Sequence, residues 1–174
     1  MKKQFLRKIA LSNTHSSSFQ HARVYTKDVA DSDREKFQKR FREKLAKLEQ
    51  AYKNRVSEDE HIQNIQAFAD QLSREFPQVL VNGRMRTGVA QKAVNLYLKF
   101  LWCLGLIQEP PHCPIDGIVL IEVGDSSNWT ELDGVDSYRE IINKIKAVAG
   151  EQSLSEWELH LWNREAQGLD PLDL

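Results

Sequence analysis

The segment from Arg84 to Lys92 combines basic side chains with a glycine at the start of a predicted helix. Residues 77–107 contain four basic residues and no acidic residue. Free N–H groups at a helix N-terminus bind phosphate well, and Gly88 would let the backbone approach an anion closely. Arg84, Arg86 and Lys92 would add positive charge. These features predict a phosphate-binding site, and the same residues also fit an ordinary solvated helix start.

Two short motifs follow one another in this part of the chain: Gly88-Val89-Ala90-Gln91-Lys92-Ala93, then Pro114-Ile115-Asp116 with Val119. Within residues 84–119 they resemble the hairpin and catalytic pair of the helix-hairpin-helix DNA glycosylase superfamily. The resemblance implies that the hairpin binds a DNA phosphate and that Lys92 attacks the sugar C1′ as a nucleophile. It further implies that Asp116 assists the deprotonation of Lys92 or stabilises the developing cation. A damaged base would first be flipped out of the duplex.

Within these motifs, Ala90 occupies the position of the family's second glycine, and Thr87 that of a common proline. From the residues alone, Lys92 also fits a solvated lysine on an exposed helix face. Asp116, which follows a proline by two positions, also fits the cap of a helix or turn. Both interpretations of the pair stay open at this point.

The charge of the chain is asymmetric, although the net charge is only -1. Residues 1–56 carry fifteen basic and six acidic side chains, whereas residues 109–174 carry four basic and fourteen acidic ones. A basic first third can attract phosphate, and Lys39 and Arg40 are its candidate nucleic-acid contacts. The alternative is that the two oppositely charged thirds neutralise each other within the chain or between copies.

Cys103, His112 and Cys113 are the residues that could suggest a zinc site. A structural zinc site needs four ligands, and the chain has two cysteines and no Cys-x-x-Cys pair. We therefore predict no metal site, and no motif indicates a cofactor. Cys103 lies in an apolar run and is expected to be a buried, reduced thiol, whereas His112 stands between prolines and is expected on a surface loop.

Several function classes are excluded by missing motifs. The chain has no P-loop, no dinucleotide-binding glycine fingerprint, no His-Glu-x-x-His and no Gly-x-Ser-x-Gly. Arg7 and Lys8 interrupt the apolar residues near the start, and no run of about 18 apolar residues occurs, so we expect neither a signal peptide nor a membrane partner. With only two cysteines, a reducing cytoplasm is the expected location.

Apolar residues at spacings of three and four predict the helices that hold these side chains. Capping boxes at Ser32 with Glu35, Ser57 with Glu60, and Ser153 with Glu156 predict three helix starts. The predicted helices are residues 33–54, 58–76, 88–104, about 135–150, and a fifth from about 154 that carries Trp157 and Trp162. Both tryptophans are expected in the core, although exposed tryptophans, Trp129 included, could stack on bases.

The remaining segments show other patterns. Residues 12–31 are rich in serine, which predicts a loop or an ordered arm. Residues 79–81 are predicted to form an extended connection. The β-branched run of residues 118–123, between two glycines, predicts a short strand. Residues 168–174 predict a tail.

The chain is therefore predicted to be a single mainly α domain over residues 1–174. It would form a compact bundle of about five helices around a buried central helix, residues 88–104, with a minor β element and an N-terminal arm over residues 1–31. We carry two functions forward. One is a nucleic-acid-binding protein acting on DNA as a glycosylase or AP lyase; the other is a non-catalytic helical module that binds another protein or a second copy of itself.

Overall fold

The computed structural model describes residues 1–166, which form a mainly helical bundle. Seven α-helices follow one another in this part of the chain: α1 Lys2–Phe19, α2 Asp31–Leu48, α3 Glu58–Glu75, α4 Thr87–Cys103, α5 Gly117–Glu122, α6 Val135–Ala149 and α7 Leu154–Ala166. Short 3₁₀ turns, Ala51–Lys53 and Val81–Gly83, precede α3 and α4. The predicted fold class is confirmed, and the predicted tail, residues 168–174, lies outside the described residues.

Helix α4 lies at the centre of the bundle. Helices α1, α2, α3 and α6 all pack against it. Its apolar side chains are buried on most sides, and they include Val89, Ala90, Ala93, Val94, Tyr97, Leu98 and Leu101. Burying one large apolar side chain contributes about 1.5–3 kcal/mol, so these side chains of α4 stabilise the bundle. The predicted central helix, residues 88–104, is confirmed to within one residue at each end.

The prediction that residues 12–31 form a loop is wrong for residues 12–19, which belong to α1. The buried face of α1 consists of Ala10, Thr14 and Ser18, which lie four residues apart. These small side chains let α1 pack closely against α4 without the large apolar residues that the sequence pattern detects. The N-terminal arm is therefore mostly a packed helix.

Two of the three predicted capping boxes begin a helix in the expected way. Ser57 Oγ accepts a hydrogen bond from Glu60 N at 3.3 Å, and Ser153 Oγ accepts one from Glu156 N at 3.2 Å. The predicted cap at Ser32 is wrong, because α2 begins at Asp31, two residues before the predicted start, and its N-cap, Ala30, makes no side-chain cap.

The predicted strand over residues 118–123 is wrong, because this run forms α5. Asp116 Oδ1 accepts hydrogen bonds from Ile118 N at 3.1 Å and Val119 N at 3.2 Å, which fixes the first turn of a helix. Of the predicted extended connection at residues 79–81, only Leu80 is extended, and it forms an isolated antiparallel bridge with Tyr25. Val79 lies in a turn and Val81 begins the second 3₁₀ turn, so the prediction is wrong for these two residues. Among residues 1–166, no helix combines the length and apolar character needed to cross a membrane.

Candidate functional site

The structure brings Lys92 and Asp116 together. Lys92 lies in the second turn of α4, Asp116 is the N-cap of α5, and Lys92 Nζ is 3.6 Å from Asp116 Oδ2. Only 12% of the Lys92 side chain is exposed, against 29% for Asp116. Asp116 thus has two roles: Oδ1 caps α5, and Oδ2 faces the ammonium group.

An aromatic ring closes the other side of Lys92. Its Nζ lies 4.3 Å from the centroid of the Trp129 ring, and Trp129 is buried. Burial lowers the pKa of Lys92 from its ordinary value, and the neighbouring Asp116 carboxylate only partly opposes this shift. A lysine with a lowered pKa has a larger fraction of neutral amine near pH 7, which is the nucleophilic form.

Gln91 holds the two segments that carry this pair. Its Nε2 donates to Ile115 O at 2.7 Å and to Gly88 O at 3.0 Å, and its Oε1 accepts from Ile115 N at 3.0 Å. Since Lys92 follows Gln91 and Asp116 follows Ile115, the same contact fixes the position of both charged residues. Sequence analysis missed this role, because a glutamine inside a helix gives no local signal of it.

The predicted phosphate site at the start of α4 is filled by the protein itself. Gly88 N donates to Leu132 O at 2.8 Å, and Gly134 N donates to Thr87 Oγ1 at 3.0 Å. A Cβ atom at Gly88 would lie 1.9 Å from Trp129 O. The close approach that Gly88 allows is therefore made by the loop between α5 and α6.

The two predicted arginines bind the same loop. Arg84 forms an ion pair with Asp133, and Arg86 Nη1 donates to Thr130 O at 3.3 Å. Arg84 remains more than half exposed, with 54% of its side chain accessible. Both arginines therefore help to hold the loop that presents Trp129 to Lys92.

A second buried ion pair lies near the first and was missed by sequence analysis. Lys99 Nζ is 2.6 Å from Glu158 Oε2, and both side chains are largely buried. Burial raises the pKa of the Glu158 carboxyl despite the nearby Lys99, and the charges of Asp116 and Lys92 also act on it. A faint signal was present, since Lys92 and Lys99 are seven residues apart and so lie on one face of α4.

Trp162 covers the Lys99 pair, as Trp129 covers Lys92. Lys99 Nζ lies 5.6 Å from the Trp162 ring centroid, and 54% of Trp162 is exposed. The prediction that Trp162 lies in the core is therefore wrong, whereas Trp157 is buried as expected. The site thus offers two lysines, two carboxylates and one exposed aromatic ring.

A buried chain of hydrogen-bonded polar side chains connects α3, α4 and α6. His61 Nδ1 is 2.6 Å from Tyr52 OH, and His61 Nε2 is 2.8 Å from Asn95 Oδ1. Asn95 Nδ2 donates to Tyr138 OH at 3.2 Å, and Tyr138 OH is 2.9 Å from His112 Nδ1. Burial lowers the pKa of both histidines to about 3, so both are neutral at pH 7.

The expected positions of His112 and Cys103 were wrong. His112 is buried because its ring fills the space against Tyr138 and His61. Cys103 is exposed, because it ends α4 on the outer side of the bundle. Cys113 is buried, and burial holds the pKa of its thiol well above the ordinary range. A buried thiol of this kind is a poor nucleophile.

The two predicted nucleic-acid contacts on α2, Lys39 and Arg40, differ in whether their side chains already have a partner within the protein. Arg40 Nε donates to Glu75 Oε2 at 2.7 Å and Arg40 Nη1 to Glu43 Oε2 at 3.3 Å, so its guanidinium is engaged within the protein. The Lys39 side chain is exposed and has no ion pair or hydrogen bond among the described residues. Only Lys39 of this pair is free for an outside ligand.

No group of three or more His, Cys, Asp and Glu side chains within the described residues is arranged to hold a metal ion. The chain matches no protein-family model, no curated protein and no solved structure.

Proposed function

We propose that the protein binds DNA and acts as a lysine-dependent DNA glycosylase or AP lyase, with Lys92 as the nucleophile. The observation that carries this proposal is the 3.6 Å contact between Lys92 Nζ and Asp116 Oδ2 in a largely buried setting. These two residues are 24 positions apart in the chain, and they are the two that the superfamily resemblance pairs.

The chemistry requires a neutral amine. Transfer of one ammonium proton to the Asp116 carboxylate or to water frees the lone pair of Lys92. The nitrogen then bonds to C1′ of the target nucleotide while the bond from C1′ to the base breaks. The base leaves with that electron pair and takes up a proton. On an abasic sugar, the amine instead adds to the aldehyde carbon and loses water to give an imine.

The surrounding residues suit this reaction. Burial beside Trp129 lowers the pKa of Lys92, and the Asp116 carboxylate can stabilise the cation that develops at the sugar. Glu158, with a raised pKa, is a second group able to exchange a proton near the site. The exposed ring of Trp162, which lies beside Lys99, seven residues after Lys92 on α4, provides an apolar surface of the kind on which a base can stack.

The test is reductive trapping on an abasic DNA duplex. Borohydride reduces an imine between enzyme and sugar to a stable amine, which gives a covalent protein–DNA product. We expect the product with the unmodified protein and with Lys36→Ala, in which an exposed lysine of α2 is lost. We expect none with Lys92→Arg, which retains the positive charge next to Asp116. A product of undiminished yield with Lys92→Arg would rule out the proposed nucleophile.

A second function, a non-catalytic protein-interaction module, is favoured by one observation. Helix α1 exposes large apolar side chains, namely Phe5, Leu6 and Ile9. Exposed apolar side chains grouped on one helix are a common feature of protein-binding surfaces. Sedimentation of the protein alone tests this function: Phe5→Ser with Ile9→Ser should abolish self-association if this face joins two copies, and a monomer at all concentrations would contradict that interface.

A further inference from the structure

The first half of α1 is oriented unlike an ordinary surface helix. Its large apolar side chains, Phe5, Leu6 and Ile9, all face solvent, and 63% of Phe5 is exposed. The side of this half that faces the bundle is built on the small residue Ala10. A surface helix normally turns its apolar side to the core. The apolar side of this half is therefore available to a partner.

The three exposed apolar side chains form one surface. Leu6 and Ile9 are three positions apart, and Phe5 and Ile9 are four apart, which are the spacings of neighbours on a helix. Together, Phe5, Leu6 and Ile9 are the α1 face. Apolar side chains grouped in this way are characteristic of binding surfaces, whereas single exposed ones are common everywhere.

Lysines border the α1 face. Lys2 and Lys8 lie three positions to either side of Phe5, and Lys3 lies three positions before Leu6. Residues at this spacing are neighbours on a helix, so each lysine lies beside an apolar side chain of the face. All three lysines are exposed, and none has an ion pair or side-chain hydrogen bond among residues 1–166.

The positive charge around the α1 face is not offset by acidic residues nearby in the chain. Residues 1–27 contain six basic residues and no acidic one. Glu49, which follows α2, reaches α1 but is already bound by Arg7 at 2.6 Å. An apolar stripe bordered by unopposed positive charge is complementary to a surface with an apolar interior and a negative exterior. A membrane leaflet that contains anionic lipid is such a surface.

We infer that the α1 face binds the surface of a membrane that contains anionic lipid. The three apolar side chains enter the boundary between headgroups and acyl chains, and the three lysines bind the negative headgroups. This inference goes beyond both proposed functions. It also replaces the expectation of no membrane partner, which rested on the missing apolar run. A helix that lies in the interface does not span the bilayer and needs no such run.

The lysines favour lipid over a protein as the partner of this face. The centre of a protein–protein interface is depleted of lysine. At a membrane surface, in contrast, a lysine extends its charged end to the headgroups while its stem stays beside apolar groups. A second copy joined through the same face would bring like charges together, which is unfavourable.

The test is sedimentation of the full chain with two kinds of vesicle. One kind is phosphatidylcholine alone, and the other is a mixture of phosphatidylcholine and phosphatidylserine. We expect the protein to bind the mixed vesicles at least about tenfold more tightly, because only these carry negative charge. Binding should weaken as salt is added, since salt screens the attraction between the lysines and the headgroups.

A first variant tests the apolar contribution. Phe5→Ser with Ile9→Ser removes most of the α1 face and should weaken binding to mixed vesicles at least about tenfold, because binding scales with buried apolar area. The control is Ile121→Ser with Val148→Ser, since both are exposed apolar residues on other helices. The control should bind like the unmodified protein.

A second variant tests the charge. It replaces the three lysines beside the α1 face with glutamine. Its control makes the same change at three exposed basic residues outside α1, so that the net charge is equal: Lys27, Lys36 and Arg74. One lysine near an anionic surface strengthens binding about fivefold, so the α1 variant should bind mixed vesicles at least about tenfold more weakly than its control. Because every substituted side chain is exposed, all variants should keep the helix content of the unmodified protein by circular dichroism.

Equal binding to the two kinds of vesicle, or equal binding by each variant and its control, would overturn the inference. Absence of vesicle binding would also overturn it, and self-association lost in Phe5→Ser with Ile9→Ser would then assign the face to a second copy. Reductive trapping on abasic DNA does not depend on the α1 face. The lipid contact and the lysine nucleophile are therefore tested separately.

Discussion

The side chain of Gln91 and the backbone of Ile115 bind each other in both directions, with Nε2 to O at 2.7 Å and N to Oε1 at 3.0 Å. This contact ties the second turn of α4 to the segment that begins α5. Because Lys92 and Asp116 are the next residues on each side, their separation depends on it. The candidate site is thus positioned by a neighbour that takes no part in the proposed chemistry.

Replacing Gln91 with leucine should destabilise the protein by at least about 2 kcal/mol. The variant keeps a similar volume but leaves Ile115 N and Ile115 O without their partner, and each unpaired buried polar group costs about 1–3 kcal/mol. Urea unfolding gives the free energy directly. Gln63→Leu, on the exposed face of α3, serves as the control and should change stability by less than about 0.5 kcal/mol. Similar values for the two variants would mean that the Gln91 contact does not hold the site.

Gly88→Ala should be strongly destabilising. The added Cβ would lie 1.9 Å from Trp129 O, so the loop above α4 must move. Overpacking of this kind costs about 1–3 kcal/mol, and the movement should also withdraw Trp129 from Lys92. Gly117→Ala is the matched control, since a Cβ there meets nothing within 4 Å. It should be neutral or stabilising by up to about 1 kcal/mol. Thermal unfolding followed by circular dichroism compares them, and a harmless Gly88→Ala would contradict the close approach.

Stability should fall as the pH drops below about 6.5, because of His61 and His112. The pKa of each is lowered to about 3 in the folded protein, whereas an exposed histidine has a pKa of about 6.5. Between these two pKa values the unfolded chain binds more protons than the folded protein. The contribution of the two histidines to the free energy of unfolding is therefore fully present above about pH 6.5 and is lost progressively towards about pH 3. Each histidine contributes a slope of up to about 1.4 kcal/mol per pH unit.

Urea unfolding at several pH values between 7 and 5 measures that slope. Substituting both His61 and His112 with glutamine should reduce the slope more than either single substitution does. The remaining slope includes the contribution of His15, whose pKa burial also lowers. An unchanged slope in both single variants would show that these histidines are not held neutral by burial.

Two substitutions separate the two roles of Asp116, capping α5 and placing a negative charge beside Lys92. Asparagine still accepts the hydrogen bonds that cap α5 but removes the charge beside Lys92, whereas alanine removes both. We expect Asp116→Ala to be about 1 kcal/mol less stable than Asp116→Asn. Both should slow the trapping reaction at least about tenfold, as expected for loss of an acid–base group.

The pH profile of that reaction gives a second measurement. The Asp116 carboxylate raises the pKa of Lys92, so Asp116→Asn should lower the pKa further and shift the trapping profile to lower pH. A shift in the opposite direction, or wild-type rates with Asp116→Asn, would show that Asp116 only caps the helix.

The sequence predicted the helices whose large apolar residues recur at helical spacing, and it failed where other forces act. Helix α1 was missed because its buried face is made of Ala10, Thr14 and Ser18. Helix α5 was read as a strand because its residues are β-branched, while the deciding interaction is the Asp116 cap. Local preference is weak compared with capping and packing in such short segments.

The candidate site was predictable only in part. The Lys92 and Asp116 pairing came from a resemblance in residue order, and the structure places these two side chains in contact. Leu132 O occupies the predicted phosphate position, and Glu158 reaches Lys99 from α7. These contacts join residues more than forty positions apart, so no local pattern could have shown them.

The central claim, that Lys92 is the nucleophile, is tested most directly by locating the covalent bond in the unmodified protein. After borohydride trapping on abasic DNA, nuclease treatment and trypsin digestion are followed by peptide mass spectrometry. Trypsin does not cleave after a modified lysine, so the account predicts one labelled peptide, residues 87–99, with the sugar remnant on Lys92 and no cleavage there. A label on another lysine, or no label on any peptide, would contradict the account.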